Sequence, residues 1–377
     1  MARKTMFFIR AVIFISLILV LWNFFWVFRL QQPQQIPTKI ESTPLSSVPQ
    51  FMRDVGLDVP KQHPHGNVPI EKPQEIHIAA VVCGNRTNET IVMIKSALIR
   101  SSIFIKFILF ADDAATSSLN GTVKLWPDKV LNRMSLDLRP ITFPADKAEE
   151  WKKLFKPCAS QRLFLPSLLQ DVDSVLYMDT DTIFFTSPLN VWEHFNKMDD
   201  VQMAAVAPEH EDFSTGWYNR FARHPYYGNL GVNSGVMLMN LTRMRHFGWE
   251  KYVVPIYHEY KSKIVWGDQD IINIVFHFHP EKLYVYPCHY NYRPDHCMYM
   301  SVCKTAEEQG IHVLHGNRGS FHNKKQPAFK AVYATIEQYS FGEDLQTLFT
   351  NMKESLTETV DTNCGKLMTS LPKLLKI

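Results

Sequence analysis

The chain has no surplus of either charge. Forty Lys and Arg against 37 Asp and Glu leave a formal net charge of +3 over 377 residues, with the signs interspersed, so nothing supports an electrostatic hold on nucleic acid. Paired Cys-x-x-Cys spacing is also missing. Cys288, Cys297 and Cys303 cluster, but not in the pattern of a structural zinc site. The six cysteines are instead available for disulfides in an oxidising compartment, with a connectivity that spacing does not reveal. No internal repeat is apparent, which sets aside stacked-repeat architectures.

A small-x-small cleavage site is absent too, where a removable signal peptide would need one. Ala11–Phe28 is an uncharged run of 18 mostly apolar residues, with Trp22, Phe24, Phe25 and Trp26 crowding its far end as an interface belt would. Arg3, Lys4 and Arg10 precede it and only Arg29 follows directly. The positive-inside rule then predicts a cytosolic tail at 1–10, a transmembrane signal anchor at 11–28 and a luminal remainder. That makes a single-pass type II protein of the endoplasmic reticulum or Golgi membrane; a cleaved signal peptide is the competing reading. Residues 29–73, rich in Gln and Pro, cannot bury a core and read as an extended luminal stem. Sequons at Asn85, Asn88, Asn120 and Asn240 fit luminal residence, although Asn85 falls where a nucleotide is expected and should not carry a glycan.

What remains is apolar and aromatic enough for one large domain over 74–340, followed by a helical extension at 341–377. Glu75–Cys83 reads as a buried strand, Gly84–Asn88 as a turn, and Ile91, Ile94 and Leu98 as one face of the next helix. Phe104–Phe110 is a second strand, Ala159–Leu169 a helix and Val175–Asp179 a third strand. Val201–Ala207 and Gly235–Met239 add short strands, Gln269–Phe276 a helix, and Leu283–Tyr286 and Ile311–Leu314 late strands. Strands alternating with helices predict an α/β domain with a mainly parallel sheet. Ligands in such sheets bind beyond the carboxyl ends of the strands, where Cys83, Gly84, Asp179 and Asp181 fall.

Asp179 and Asp181 follow the apolar run Val175–Met178. Residues i and i+2 of an extended segment point the same way, so both carboxylates can face one cation, and oxygen ligands suit Mn²⁺ or Mg²⁺ bound to phosphates. Alone the pair would be ordinary solvated turn acids; its place after a buried strand and the downstream groups raise it above that. His315 ends a late strand in a polar turn and is the candidate third ligand. Lys324 and Lys325 follow as possible diphosphate contacts. Arg162 suits a phosphate or sugar oxygen. Gly231–Gly235 brings Asn233 and Ser234 to a strand start, apt for sugar hydroxyls or simply a turn. In Trp266–Asp270 either acid would serve as an ordinary helix N-cap, which leaves the other unexplained. The aromatic, basic stretch Gly216–Gly228 is either an acceptor clasp or a rigid structural loop.

Taken together, Asp179-Thr-Asp181, Asn233-Ser-Gly235, Gly267-Asp-Gln-Asp270 and His315-Gly316 resemble glycosyltransferase family 8. The longer runs Ala148–Arg162, Trp217–Tyr227, Asn291–Cys297 and Leu314–Gly319 resemble its glucoside xylosyltransferase branch. The resemblance implies a GT-A fold with a mixed, mainly parallel sheet and an Mn²⁺-dependent, retaining transfer from UDP-xylose. The acceptor it implies is glucose O-linked to EGF-like repeats of the Notch type, extended through an α1,3 bond. Carried over position by position, it implies that Asp179, Asp181 and His315 hold the metal. Cys83, Gly84, Arg162, Asn233, Ser234, Gly235, Asp268, Gly316 and Lys325 would bind the donor, and Gln269, with Asp268, would stand at the reacting carbon. Here the family's ending of His, Gly and Lys-Pro-Trp appears as His315 to Lys325-Gln-Pro327, so the phosphate lysine is open and His322 rivals His315. The alternatives are another UDP-sugar donor, or a catalytically silent membrane-anchored lectin or chaperone on the same scaffold.

Overall fold

The computed structural model describes residues 75–143, 148–154 and 158–370. The tail, anchor and stem expected over 1–73 lie outside these residues, and among the described residues no helix is long and apolar enough to cross a membrane.

Strands β1 (Glu75–Val82), β2 (Phe104–Ala111), β3 (Met134–Pro140), β4 (Ser174–Met178), β6 (Ala204–Pro208), β7 (Val232–Asn240) and β8 (Leu283–Val285) form one sheet in the order β3-β2-β1-β4-β7-β6-β8. β1 to β4 run parallel, β6 runs parallel to β8, and β7 alone opposes its neighbours β4 and β6. The sheet is therefore mixed and mainly parallel. β5 (Thr182–Phe184) and β9 (Val313–His315) pair separately, antiparallel, with Thr182 opposite His315.

Both faces of the large sheet are covered. Ile78, Phe107, Leu176 and Met178 enter one core with Met93, Ile94 and Leu98 of helix α1 (Thr87–Arg100). The alternate residues Ala79, Ile108, Val175 and Tyr177 enter another with Ile271, Ile274 and Val275 of α2 (Asp268–Phe278). That double burial explains why these strands read as unbroken apolar runs. A third core joins Ile183 and Leu314 to Phe329, Met352 and Met368 of helices α3 (Pro327–Gln338), α4 (Leu345–Thr357) and α5 (Asn363–Ser370). Disulfides connect Cys83 to Cys158, Cys288 to Cys303 and Cys297 to Cys364.

Two of the expected elements take another form. The helix expected over Ala159–Leu169 is a 3₁₀ segment, Ala159–Phe164, followed by a single α turn, Leu165–Leu168. Pro166 has no N–H to donate and fits only a first turn, so it breaks the run in two. Asn233–Gly235 is not a turn but part of β7, where the pairing with β6 jumps from Met237 opposite Val206 to Asn233 opposite Ala207. Such a bulge re-aims side chains at a strand end.

Candidate active site

Asp179 and Asp181 emerge beyond the carboxyl end of β4 and are fixed by backbone bonds on either side. The Asp179 N–H donates to the Gly235 carbonyl and the Gly316 N–H to the Asp181 carbonyl, both at 2.7 Å. With the Thr182–His315 pairing, these links bring His315 to the acids. Donor atoms of Asp179, Asp181 and His315 all lie within 4.8 Å of one another. His315 Nε2 is 3.6 Å from Asp179 Oδ2 and 3.4 Å from Asp181 Oδ1. Gly235 is required beside them, because a Cβ there would collide with the His315 ring and the Asp179 carboxylate.

The chemistry of the neighbours dictates which ring nitrogen faces the acids. A carboxylate only accepts, so Glu209 takes the Asn233 amide N–H at 2.7 Å. Asn233 Oδ1 then accepts from the Gly235 N–H at 3.0 Å and from the Asn291 side-chain amide at 2.8 Å. This turns Asn291 Oδ1 toward His315 Nδ1, 2.9 Å away, and places the imidazole proton on Nδ1. Nε2 is then the nitrogen that faces the two carboxylates and can join them in holding a cation, and such outer partners are the usual orienters of a ligand histidine. The donor set therefore fits a divalent metal.

Arginines flank each acid. Buried Arg162 approaches Asp179 Oδ1 at 3.5 Å, ion-pairs with Asp268, donates to the Ser234 carbonyl at 2.6 Å and lies 4.7 Å over the Tyr177 ring. Arg86 stands 4.0 Å from Asp181 Oδ2. Burial alone would lower Arg162, but Asp268 and Asp179 hold it above its ordinary value. Burial pushes the Asp268 carboxyl up to about 6 against the pull of Arg162, with Asp179 adding to the rise. The two acids of α2 thus part company. Asp268 faces the arginine, whereas Asp270 accepts from the Val265 and Trp266 N–H groups, each at 2.7 Å, and secures the turn into the helix.

These groups border a cavity of about 800 Å³. Cys83, Gly84, Arg162, Asn233, Asp268 and Gln269 line it with the three candidate ligands. Cys83 does so as a half-cystine bonded to Cys158. Ser234, Gly235 and Gly316 are buried behind the lining, Gly316 against the Phe321 ring. Lys324 and Lys325 are exposed and stand outside the lining. His322 bonds to Glu89 at 2.7 Å rather than joining the acid pair. Asn85 is exposed at the cavity wall. The Gly216–Gly228 stretch is structurally tied down and also borders the cavity. Tyr218 donates to Asp270 at 2.8 Å and so ties it to α2, while Trp217, Arg220 and Phe221 face the cavity.

Sequence reasoning missed Arg86, Glu209, Asn291 and Arg318. Arg86 carried a signal, lying in the turn expected to meet the nucleotide. Arg318 bonds to Asp295, lines the cavity and has φ +56°, a conformation that costs a non-glycine residue on the order of 1–3 kcal/mol and clusters at functional sites. Cys158, the other such residue among those described, is bonded to Cys83 of the cavity lining.

A model for Glycosyl transferase family 8 matches residues 77–317. Glucoside xylosyltransferase 2 of Xenopus laevis is 51% identical over 320 residues, 82% of this chain and 75% of that protein. Glucoside xylosyltransferase 1 of Homo sapiens is 50% identical over 310 residues, 79% of this chain and 70% of that protein. Among solved structures, galactosyltransferase LgtC in complex with donor and acceptor sugar analogs aligns with a TM-score of 0.52 at 16% identity, covering 71% of this chain and 98% of that one. That likeness concerns the fold, which is of the GT-A type. The chain belongs to glycosyltransferase family 8.

Proposed function

We propose that this protein transfers xylose from UDP-xylose, with retention and in α1,3 linkage, to glucose O-linked on EGF-like repeats of the Notch type. One observation carries the reading. The cluster Asp179–Asp181–His315 and the group Arg162–Asp268–Asn233 converge on one cavity, in a chain half identical to proteins named glucoside xylosyltransferases. About 800 Å³ lies within the range of small-molecule sites.

Two carboxylates and an imidazole suit Mn²⁺, which when bound supplies charge neutralisation for a departing diphosphate. Arg162 beside Asp179 and Arg86 beside Asp181 are available to add positive charge. Asn233 and Asp268 are the groups available to donor-sugar hydroxyls. Gln269 is neutral and held in place: its Oε1 accepts from the Ser234 N–H, and its amide donates to Glu209 and to the Tyr218 hydroxyl, each at 3.3 Å. Both carboxylates beside the sugar groups are engaged, Asp268 by Arg162 and Glu209 by the amides of Asn233 and Gln269. Neither is a free covalent nucleophile. The acceptor hydroxyl is therefore expected to attack from the face that UDP leaves, with a leaving phosphate oxygen taking the proton.

The proposed setting is the lumen of the endoplasmic reticulum or Golgi, with residues 11–28 as anchor, 29–73 as stem, 74–340 as catalytic domain and 341–377 as helical extension. Three disulfides support an oxidising compartment.

The test is the purified protein with Mn²⁺, a panel of UDP-sugars and an O-glucosylated EGF module, read by mass spectrometry. A pentose added from UDP-xylose, lost in Asp181→Asn while that variant still folds, is the expected result. Preferential hexose transfer would move the reading to another UDP-sugar donor. No metal-dependent UDP release with any donor would favour a silent lectin. A xylosyl adduct trapped on a side chain would overturn the same-face mechanism.

A further inference from the structure

The cavity mouth carries apolar side chains for which the transfer chemistry has no use. Tyr299 is 77% exposed and Met300 63% exposed, yet both line the cavity. They sit on a five-residue loop, Met298–Val302, held at both ends. Cys297 is bonded to Cys364 at the start of α5, and Cys303 to Cys288. Between these staples the Asn363 side-chain amide donates to the carbonyls of Met298 at 3.2 Å and Tyr299 at 3.1 Å, and the Val302 N–H closes the loop onto the His296 carbonyl at 3.1 Å.

Fixing a residue's backbone costs on the order of 1–2 kcal/mol. Here two cross-links and the Asn363 amide hold in one shape a loop whose two large apolar side chains reach into solvent. A partner meeting such a loop loses little further freedom on binding. The surroundings select the partner's class. Arg220, Asp295 and Arg318 share the mouth with Tyr299 and Met300, and exposed Phe221 lies on a separate segment. Isolated apolar anchors among charged groups match the pattern of a protein interface, whereas an alkyl chain would need continuous apolar surface.

We infer that the Met298–Val302 loop docks the polypeptide that carries the acceptor glucose, contacting the protein rather than the sugar. The inference rests on the acceptor reading above and adds a determinant of which carriers are chosen.

The experiment compares the full-length wild type with the double variant Tyr299→Ser/Met300→Ser. Four quantities are read: hydrolysis of UDP-xylose without acceptor, transfer to a small aryl glucoside, transfer to a disulfide-bonded module bearing O-linked glucose, and direct calorimetric binding of that module without donor. The first two should stay within about twofold, while KM for the module rises tenfold or more at unchanged kcat and its binding weakens in step. Parallel loss on aryl glucoside and module would overturn the inference, because the loop would then be shaping the sugar site. An unchanged module KM would overturn it as well, as would selective loss on a micellar long-chain alkyl glucoside, which would indicate a lipid carrier. A wild type inert toward UDP-xylose whose module binding still depends on Tyr299 and Met300 would sink the donor assignment and leave the docking surface standing.

Discussion

Glu209, Asn233, Asn291 and His315 form a row in which each side chain is oriented by the one before it, ending in the imidazole Nε2 that faces the acids. Asn291 is fully buried within that row, so removing its amide frees the imidazole to turn. Outer partners of this kind typically contribute 10–100-fold to metal affinity or activity. Asn291→Leu should therefore raise the Mn²⁺ concentration for half-maximal transfer at least tenfold, as read in a metal titration, with saturating Mn²⁺ restoring part of the rate. Asp268 allows a second prediction at this scale. Its carboxyl, raised by burial to about 6, is charged above that value and holds Arg162; below it, the acid takes a proton and the ion pair is lost. The transfer rate should fall as pH drops from 7 to 5, and Asp268→Asn should already sit on the low plateau with no such limb in its pH profile. The residues visible in sequence were those whose role follows from local context. Asp179 and Asp181 stand out because a buried strand delivers them together. Glu209 and Asn291 do not, since each is a single polar residue whose partners arrive from other segments.

At the level of elements, the Gly216–Gly228 segment and the start of α2 behave as one piece. His224 presents Nδ1 to the Pro225 carbonyl at 2.9 Å and Nε2 to Asp270 Oδ2 at 3.2 Å, two acceptors that suit the doubly protonated ring. Burial would lower His224, but Asp270 and the Pro225 carbonyl carry it above its ordinary value. A histidine raised on folding stabilises fully below its unfolded value, near about 6.5, and that contribution is lost as pH rises through the folded one. His224→Gln should then cost about 1.5–3 kcal/mol at pH 6 and progressively less towards pH 9, measured by denaturant unfolding across a pH series. A cost independent of pH would mean that packing, not charge, holds the loop. Which strands exist was largely readable, because burial on both faces leaves continuous apolar runs. β3 escaped notice because Ser135, Asp137 and Arg139 interrupt its apolar positions, and β5 because three residues are too few to show a pattern. The antiparallel course of β7 also depends on pairing that no single segment encodes.

Across the whole molecule, disulfides add covalent ties to the packing of the C-terminal helices. The Cys297–Cys364 bond spans a sequence separation of 67 residues, for which the chain-entropy account gives about 4 kcal/mol. Replacing both cysteines with alanine should lower unfolding free energy by about 2–4 kcal/mol, measured in denaturant. A loss under about 1 kcal/mol would show that the third core holds α5 unaided. The cysteine pairing was invisible in sequence, since six cysteines admit many connectivities and only the fold chooses.

The tiny β5–β9 ladder reaches across more than a hundred residues of chain to set His315 opposite Thr182. A nascent or truncated polypeptide that ends between Val285 and Val313 possesses both aspartates and every strand of the large sheet, but it has no histidine to complete the trio. If His315 holds the metal as proposed, competence arrives late in synthesis, and partial products should be inert toward sugar nucleotides, however well their first half has folded.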